Sequence, residues 1–585
     1  MLKYFIVLLL LGVYVTSCAK SDSKINKYSD PKSVEIMNIA TDKACYSPGD
    51  HVIFKIDESL PATVSVRYRH LNETIKEEAL SDTSWSWKVP ATDYTGYLID
   101  LYEKKDDGEE KIYGSIAVDV SSDWSRFPRY GFLSDFGQMN SKAADAIVKD
   151  LNRYHINGIQ FYDCQYDHHR PLAGTPEKPD SFWIEIGSRD TYLSTIKKYI
   201  DAAHSYKMEA MFYNLAYGAL KDAKTDGVSD QWYLYTDRLH TIKEMFDLDN
   251  PPFKSDIWLV DPSNPEWQQY IADKSKDFLK VFDFDGYHID QLGNRDKNLY
   301  AYDGAPVDLS VKFESFIQAM NTALPGKKLV MNAVNQYGQR GIADSPVDFL
   351  YTEVWDPNNT YKDLASIITD NDSFSNGEKK SVLTAYMNYD LAKATGFFNT
   401  PGVLLTDAVI FAFGGAHLEL GEHMLCQPYF PNNNLKMRAD LKEALVHYYD
   451  FMVAYQNLLR DGGTFNSPQL NSADTQIELN NWPPQLNKVS VAGKSMGNKQ
   501  VIHLINFSNA VTMNWNDAIG TQTLPKTVEN FKLDFTTPRT VKKIWMASPD
   551  YNLGLATEIG FSQSGSKVSF TLPWLQYWDM IVVEY

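Results

Sequence analysis

Two apolar runs in this chain stop at a carboxylate beside aromatic residues. One is Asp285-Gly-Tyr-His288-Ile-Asp290, followed by Gln-Leu-Gly; the other is Phe349-Leu-Tyr351-Thr-Glu353-Val-Trp355. Read as strands, the first puts His288 and Asp290 on one face and Ile289 on the other. The second puts Tyr351, Glu353 and Trp355 together. Two carboxyls facing each other across an aromatic cup are the minimal apparatus for breaking a glycosidic bond, one protonating the leaving oxygen while the other attacks or activates water. Either carboxylate alone reads equally well as a salt bridge or a helix cap. The pair carries the chemistry.

Neighbouring apolar runs end in neutral hydrogen-bonding groups: Phe212-Tyr213-Asn214, Met331-Asn332 and Ala385-Tyr386-Met-Asn388-Tyr389. Asn and Tyr donate and accept without adding charge, as a polyhydroxylated neutral ligand requires. Phe161-Tyr-Asp163-Cys-Gln-Tyr166-Asp-His168-His169-Arg170 is richer in charge. Adjacent histidines on an extended chain point to opposite sides and chelate one metal poorly, and no H-E-x-x-H spacing occurs. Neither a metal nor a cofactor is therefore expected. Asp163, His168, Tyr213, Asn214, His288, Asn332 and Trp355 are the candidate substrate contacts, around Asp290 and Glu353.

Such residues must be held by a scaffold whose strand ends converge. Between residues 130 and 460, eight short apolar runs alternate with amphipathic stretches. The runs are Tyr130–Asp135, Asn157–Asp163, Glu209–Asn214, Gly286–Asp290, Lys328–Asn332, Asp348–Glu353, Ser381–Met387 and Ala416–Leu420. The amphipathic stretches include Ala143–Tyr154, Tyr192–Tyr206, Pro265–Phe282 and Leu309–Leu324. Eight such units in about 330 residues predict a (β/α)8 barrel, whose active site lies at the C-terminal strand ends. The fourth and sixth strands, both even-numbered, then share one layer of the mouth. Ile257–Asp261 competes for a strand slot and is read as part of a long connection.

Residues 32–122 show short alternations such as His51–Ile56 and Thr63–Arg69 between turn signals, which predict an Ig-like β-sandwich. Ser121–Arg129 reads as a linker. Residues 463–585 lose helical patterning, and Val501–Asn506, Val541–Trp545, Lys567–Leu572 and Met580–Glu584 predict a second β-sandwich. The expected fold is multidomain, with a sandwich before and after the barrel.

Net charge is −19, which disfavours nucleic acid and anionic lipid and favours a neutral partner. Residues 1–18 carry Lys3, an apolar run too short to span a bilayer, and Val-Thr-Ser before Cys18. This resembles the lipobox of bacterial lipoproteins. Cys18 would then carry lipid, residues 19–31 would form a tether, and the protein would be exported and anchored at the outer membrane, facing the periplasm or the outside. Cys45, Cys164 and Cys426 remain, too few and too scattered for a disulfide framework or a zinc site, with a Cys164–Cys426 bridge left open.

Tyr-Gly-Phe-Leu-Ser-Asp-Phe, Gln-Phe-Tyr-Asp-x-Gln-Tyr-x-His-His, Phe-Asp-Gly-Tyr-His-x-Asp-Gln-Leu-Gly and Tyr-Thr-Glu-Val-Trp together resemble glycoside hydrolase family 66, the dextranases and cycloisomaltooligosaccharide glucanotransferases. The segment Thr41-Asp-Lys-Ala-Cys-Tyr-Ser-Pro-Gly49-Asp is similar to that family's entry domain. The resemblance implies retaining, endo-acting cleavage of α-1,6-glucan, with Asp290 as nucleophile and Glu353 as acid/base. Cys164 stands where the family has tryptophan. The glucanotransferases carry an inserted binding module of roughly 130 residues within the barrel; none is visible here, which favours a hydrolase acting as a monomer on dextran or isomaltooligosaccharides. The alternatives are a glucanotransferase, hydrolysis of another α-linked glycan, and a non-catalytic glycan-binding lipoprotein.

Overall fold

The computed structural model describes residues 37–585 apart from residues 62, 107 and 249–250. The leader, Cys18 and the tether lie outside the described residues. Met37–Tyr585 fold as one unit.

Eight parallel strands carry the site: β1 (Tyr130–Leu133), β2 (Gly158–Phe161), β3 (Glu209–Leu215), β4 (Gly286–Asp290), β5 (Lys328–Met331), β6 (Leu350–Glu353), β7 (Ser381–Thr384) and β8 (Ala416–His417). Pairing runs unbroken from β1 to β5 and from β6 to β8. Parallel bridges Asn332–Tyr351 and Phe132–Gly421 join the two runs at both edges, so the order returns to its start. Nearly every residue of these strands is buried, as expected for parallel strands covered on both faces. Segment Ile257–Leu259 pairs antiparallel with Gly218–Ala219 and Met245–Phe246 in a separate small sheet, outside this series.

Helices α2 (Leu193–Ser205), α3 (Pro265–Val281) and α4 (Phe313–Ala323) fall within the amphipathic stretches read from the sequence, and α1 (Ser141–Arg153) begins two residues before its stretch. The start of α3 shows why. Asn264 accepts from the amides of Glu266 and Trp267, and Pro265 occupies the first turn, where it costs no hydrogen bond. Three further helices, α5 (Tyr361–Phe374), α6 (Thr400–Ala412) and α7 (Ala439–Ala454), follow β6, β7 and β8.

Two antiparallel sheets enclose an N-terminal core of Val52, Phe54, Tyr68, Trp87, Ile99 and Val118. Two more enclose a C-terminal core of Val489, Ile502, Phe531, Phe570 and Ile581. Segment Ser121–Arg129, expected to be a linker, is instead packed between cores. Arg129 is 1% exposed, pairs with Asp119 at 2.8 Å and donates to the carbonyls of Phe127 and His155. The Trp124 ring fills the space above Gly158, where a Cβ would lie 2.2 Å from it. The polarity of the segment hid a buried ion pair. Cys45, Cys164 and Cys426 are all free and buried, so the Cys164–Cys426 bridge does not form.

Candidate active site

Asp290 is the last residue of β4, and its backbone is held on the β3 side by register with Leu215 and by the Ala216 amide, 2.9 Å from its carbonyl. Glu353 ends β6 in register with Thr384 of β7. Asn332, just past β5, stands between them. Its backbone amide donates to Ile289, and the next amide, of Ala333, donates to Tyr351. The side-chain amide of Asn332 then reaches both carboxylates, 2.9 Å to Asp290 Oδ1 and 3.1 Å to Glu353 Oε2. Those two oxygens therefore lie at most 6.0 Å apart, the limit set by the two bonds laid end to end.

Each carboxylate has a tyrosine of its own. Tyr213 donates to Asp290 Oδ2 at 2.5 Å, and Tyr386 to Glu353 Oε1 at 2.6 Å. Burial raises the pKa of Asp290, while the bonds from Tyr213 and Asn332 oppose that rise. Glu353 is pushed up to about 7, first by burial and then by the charge of Asp290. The bonds from Tyr213 and Asn332 favour the charged form of Asp290, while the Asp290 charge favours the protonated form of Glu353, the asymmetry that two unlike roles require.

The remaining sequence-derived residues lie around this pair in different ways. His288 is 1% exposed beneath it, bonded to Tyr130 at 3.2 Å and edge-on to Tyr351 at 4.7 Å. Burial takes its pKa down to about 3, so it is a neutral floor. Trp355 lies against Tyr386 and Tyr389, with ring centroids 5.4 and 6.1 Å away. His168 and Asn214 are locked to each other: Asn214 Nδ2 donates to the His168 carbonyl, and its Oδ1 meets His168 Nδ1 at 2.8 Å. His169 points to Asp226 at 3.0 Å; the two histidines are not on an extended chain as expected but form the tip of a tight turn closed by backbone bonds between Asp167 and Arg170. Asp163 holds a positive φ of 50° and is bonded by Gln165. Burial raises it to about 6 despite the opposing charge of Arg189.

Several groups here carry no mark in the sequence. Arg189 donates to Glu185 at 2.9 Å and to the Ser134 carbonyl at the end of β1. Glu422, five residues beyond β8, accepts from the amide and hydroxyl of Ser134 and is raised to about 7 by burial. Tyr162 stacks on Phe430 at 4.3 Å and tilts against Tyr213. Arg189 and Glu185 close the turn of a short hairpin, Phe182–Ile184 with Asp190–Tyr192, whose strands are too brief for periodicity to mark. Glu422 is the exception, since it follows a strand end, a position that would have flagged it.

The model of glycosyl hydrolase family 66 matches residues 41–582. Two cycloisomaltooligosaccharide glucanotransferases of Niallia circulans are 28% and 27% identical to this chain over alignments of 707 and 722 residues, each covering 94% of this chain and 72% of the relative. A dextranase of Streptococcus salivarius is 27% identical over 474 residues, covering 70% of this chain and 56% of its own. The crystal structure of a Paenibacillus sp. cycloisomaltooligosaccharide glucanotransferase complexed with cycloisomaltoheptaose matches with a TM-score of 0.86 at 25% identity, covering 94% of this chain and 99% of that one.

Proposed function

The chain belongs to glycosyl hydrolase family 66, and from that premise we propose that it is a retaining, endo-acting glycoside hydrolase that cleaves α-1,6 linkages of dextran to isomaltooligosaccharides. The ring of parallel strands supports a (β/α)8 barrel for residues 130–460, flanked by an Ig-like sandwich at 32–122 and a second sandwich at 463–585.

One observation carries the reading: a single Asn332 amide spans Asp290 and Glu353. Retaining pairs stand about 5–5.5 Å apart and inverting pairs roughly 6.5–9.5 Å; facing oxygens held within 6.0 Å of each other by one amide support the closer, retaining arrangement. In this mechanism Asp290 attacks the anomeric carbon while the Glu353 carboxyl protonates the departing O6. The ionised Glu353 then takes a proton from water as it attacks the ester, releasing the sugar with its original α configuration. Asp163, His168, Tyr213, Asn214, His288, Asn332 and Trp355 surround or position that ring. Asp290→Asn is expected to lower the release of reducing ends from dextran by more than about a hundredfold with the melting temperature kept. NMR of the first-formed product should show the α anomer. A β anomer, or substantial residual turnover, removes the assignment.

A glucanotransferase is the second reading, favoured by the two Niallia relatives and the Paenibacillus structure. Against it, both Niallia alignments are longer than the 585 residues of this chain, so those relatives carry inserted segments that it lacks. Product mass separates the two, because a cyclic product lacks one water. The leader reading of residues 1–18 supports an exported lipoprotein anchored through Cys18, and the acidic surface supports a neutral glucan rather than nucleic acid as partner.

A further inference from the structure

An open pocket of about 600 Å³ lies at the long connection between β3 and β4, and its walls include neither Asp290 nor Glu353. Asp230, Tyr235, His240, Lys243 and Trp258 come from that connection, and Tyr302 from the hairpin of Leu299–Tyr300 and Pro306–Val307. Two reciprocal 2.8 Å backbone bonds between Tyr235 and Tyr300 join these segments. The connection leaves β3 beside Asp290, since Ala216 bonds the Asp290 carbonyl, so both sites are reached from the C-terminal ends of the strands.

The chemistry of the cavity is that of a neutral polyol site. Tyr302 stacks on His240 at 4.1 Å, Tyr235 meets both rings edge-on, and Trp258 is half-buried in the small sheet. The charged groups already hold one another: Asp230 takes both Lys224 and Lys243 at 2.7 Å each, and Lys243 also lies over the Tyr233 ring at 3.7 Å. Leu239 and Ile242, 76% and 61% exposed, stand on the adjoining turn without a core of their own. Asp237 makes that turn rigid by accepting from the amides of Leu239, Thr241 and Ile242. Aromatic faces, hydroxyl and amino donors and an apolar rim match a sugar, which has apolar C–H faces and a hydroxyl edge. Both lysines are already engaged by Asp230, and an anion would meet an acidic molecule.

We propose that this cavity binds a segment of α-glucan away from the carboxylate pair, holding the polymer on the enzyme between cleavages. The assignment deepens the α-glucan hydrolase reading and rests on it. A second foothold on one chain raises the effective concentration of the rest at the catalytic cup, so it favours polymer over short oligosaccharide. The test is affinity electrophoresis of the full chain in gels containing dextran, with kinetics on dextran and on isomaltotriose. Tyr302→Ala is expected to weaken retention and raise KM for dextran about fivefold, with kcat/KM for isomaltotriose within about twofold. Should Tyr302→Ala fail to fold, His240→Ala at the exposed turn serves as the second variant. Retention and KM equal to wild type in whichever of the two folds overturn the proposal, as does a change in self-association without a change in retention. Wild-type protein that cleaves no dextran sinks the hydrolase reading instead, and its retention in the gel still decides the cavity.

Discussion

In the proposed acid/base role Glu353 holds a proton at neutrality and gives it up within one turnover, and burial, the Asp290 charge and its hydrogen-bond donors set that balance. Burial and the Asp290 charge raise its pKa, while the Tyr386 hydroxyl favours the ionised form. Because the acid must be protonated, kcat/KM should fall as pH rises through about 7, the Glu353 value. Tyr386→Phe removes a donor to the carboxylate, so the pKa rises and the alkaline limb moves to higher pH. A pH profile of kcat/KM for the variant checks the direction, and a limb that stays or moves down contradicts it. Asp290, Glu353 and their aromatic neighbours were legible in the sequence because each carboxylate ends an apolar run. The role of Asn332 was not: any Asn at a strand end reads as a ligand contact, and only β5 lying between β4 and β6 makes it a bridge.

Among the helices, those with one wet face were readable and α6, which has none, was not. The bounds of α1 to α4 were approached because their apolar stripes recur at helical spacing. In α6, eleven of thirteen residues are buried, so no polar face breaks the run and periodicity has nothing to report. Close packing also fixes where elements meet. Gly158 at the start of β2 lets the Trp124 ring sit against the strand. Gly158→Ala forces a rigid indole to move and is expected to destabilise the protein by about 1–3 kcal/mol, the usual cost of overpacking. Denaturant unfolding measures this, and a change below about 0.5 kcal/mol would mean the ring yields freely.

For the molecule as a whole, burial of ionisable groups sets a pH dependence that surface charge does not. Glu353, Glu422 and Asp550 are raised to about 7 and Glu419 to about 8, each first by burial. A carboxyl raised in the folded state contributes stability fully below its unfolded pKa and loses it as pH climbs through the folded value. The buried histidines His288, His423 and His503 are depressed to about 3, 4 and 3, so they act in the opposite sense but only below their unfolded value near 6.5. From about pH 6.5 to 8 the carboxyls are left unopposed, and the melting temperature should fall. Glu353→Gln should flatten that fall, with a gain over wild type that is larger at pH 8 than at pH 5. Calorimetry across that range would show it, and an equal offset at both pH values would rule out the titration.

The local grammar of the chain determined which stretches become strands, to within two or three residues at their ends, and which polar residues stand near those ends, since alternation and turn chemistry act within a few residues. Segment order came with it for the same reason. Distances between segments were decided in three dimensions: the Asn332 bridge, the tyrosine assigned to each carboxylate, the buried Arg129–Asp119 pair inside an apparent linker, and the separation of Cys164 from Cys426. Each depends on which strand lies beside which and on how much water the packing excludes. Neighbours far apart in sequence supply both.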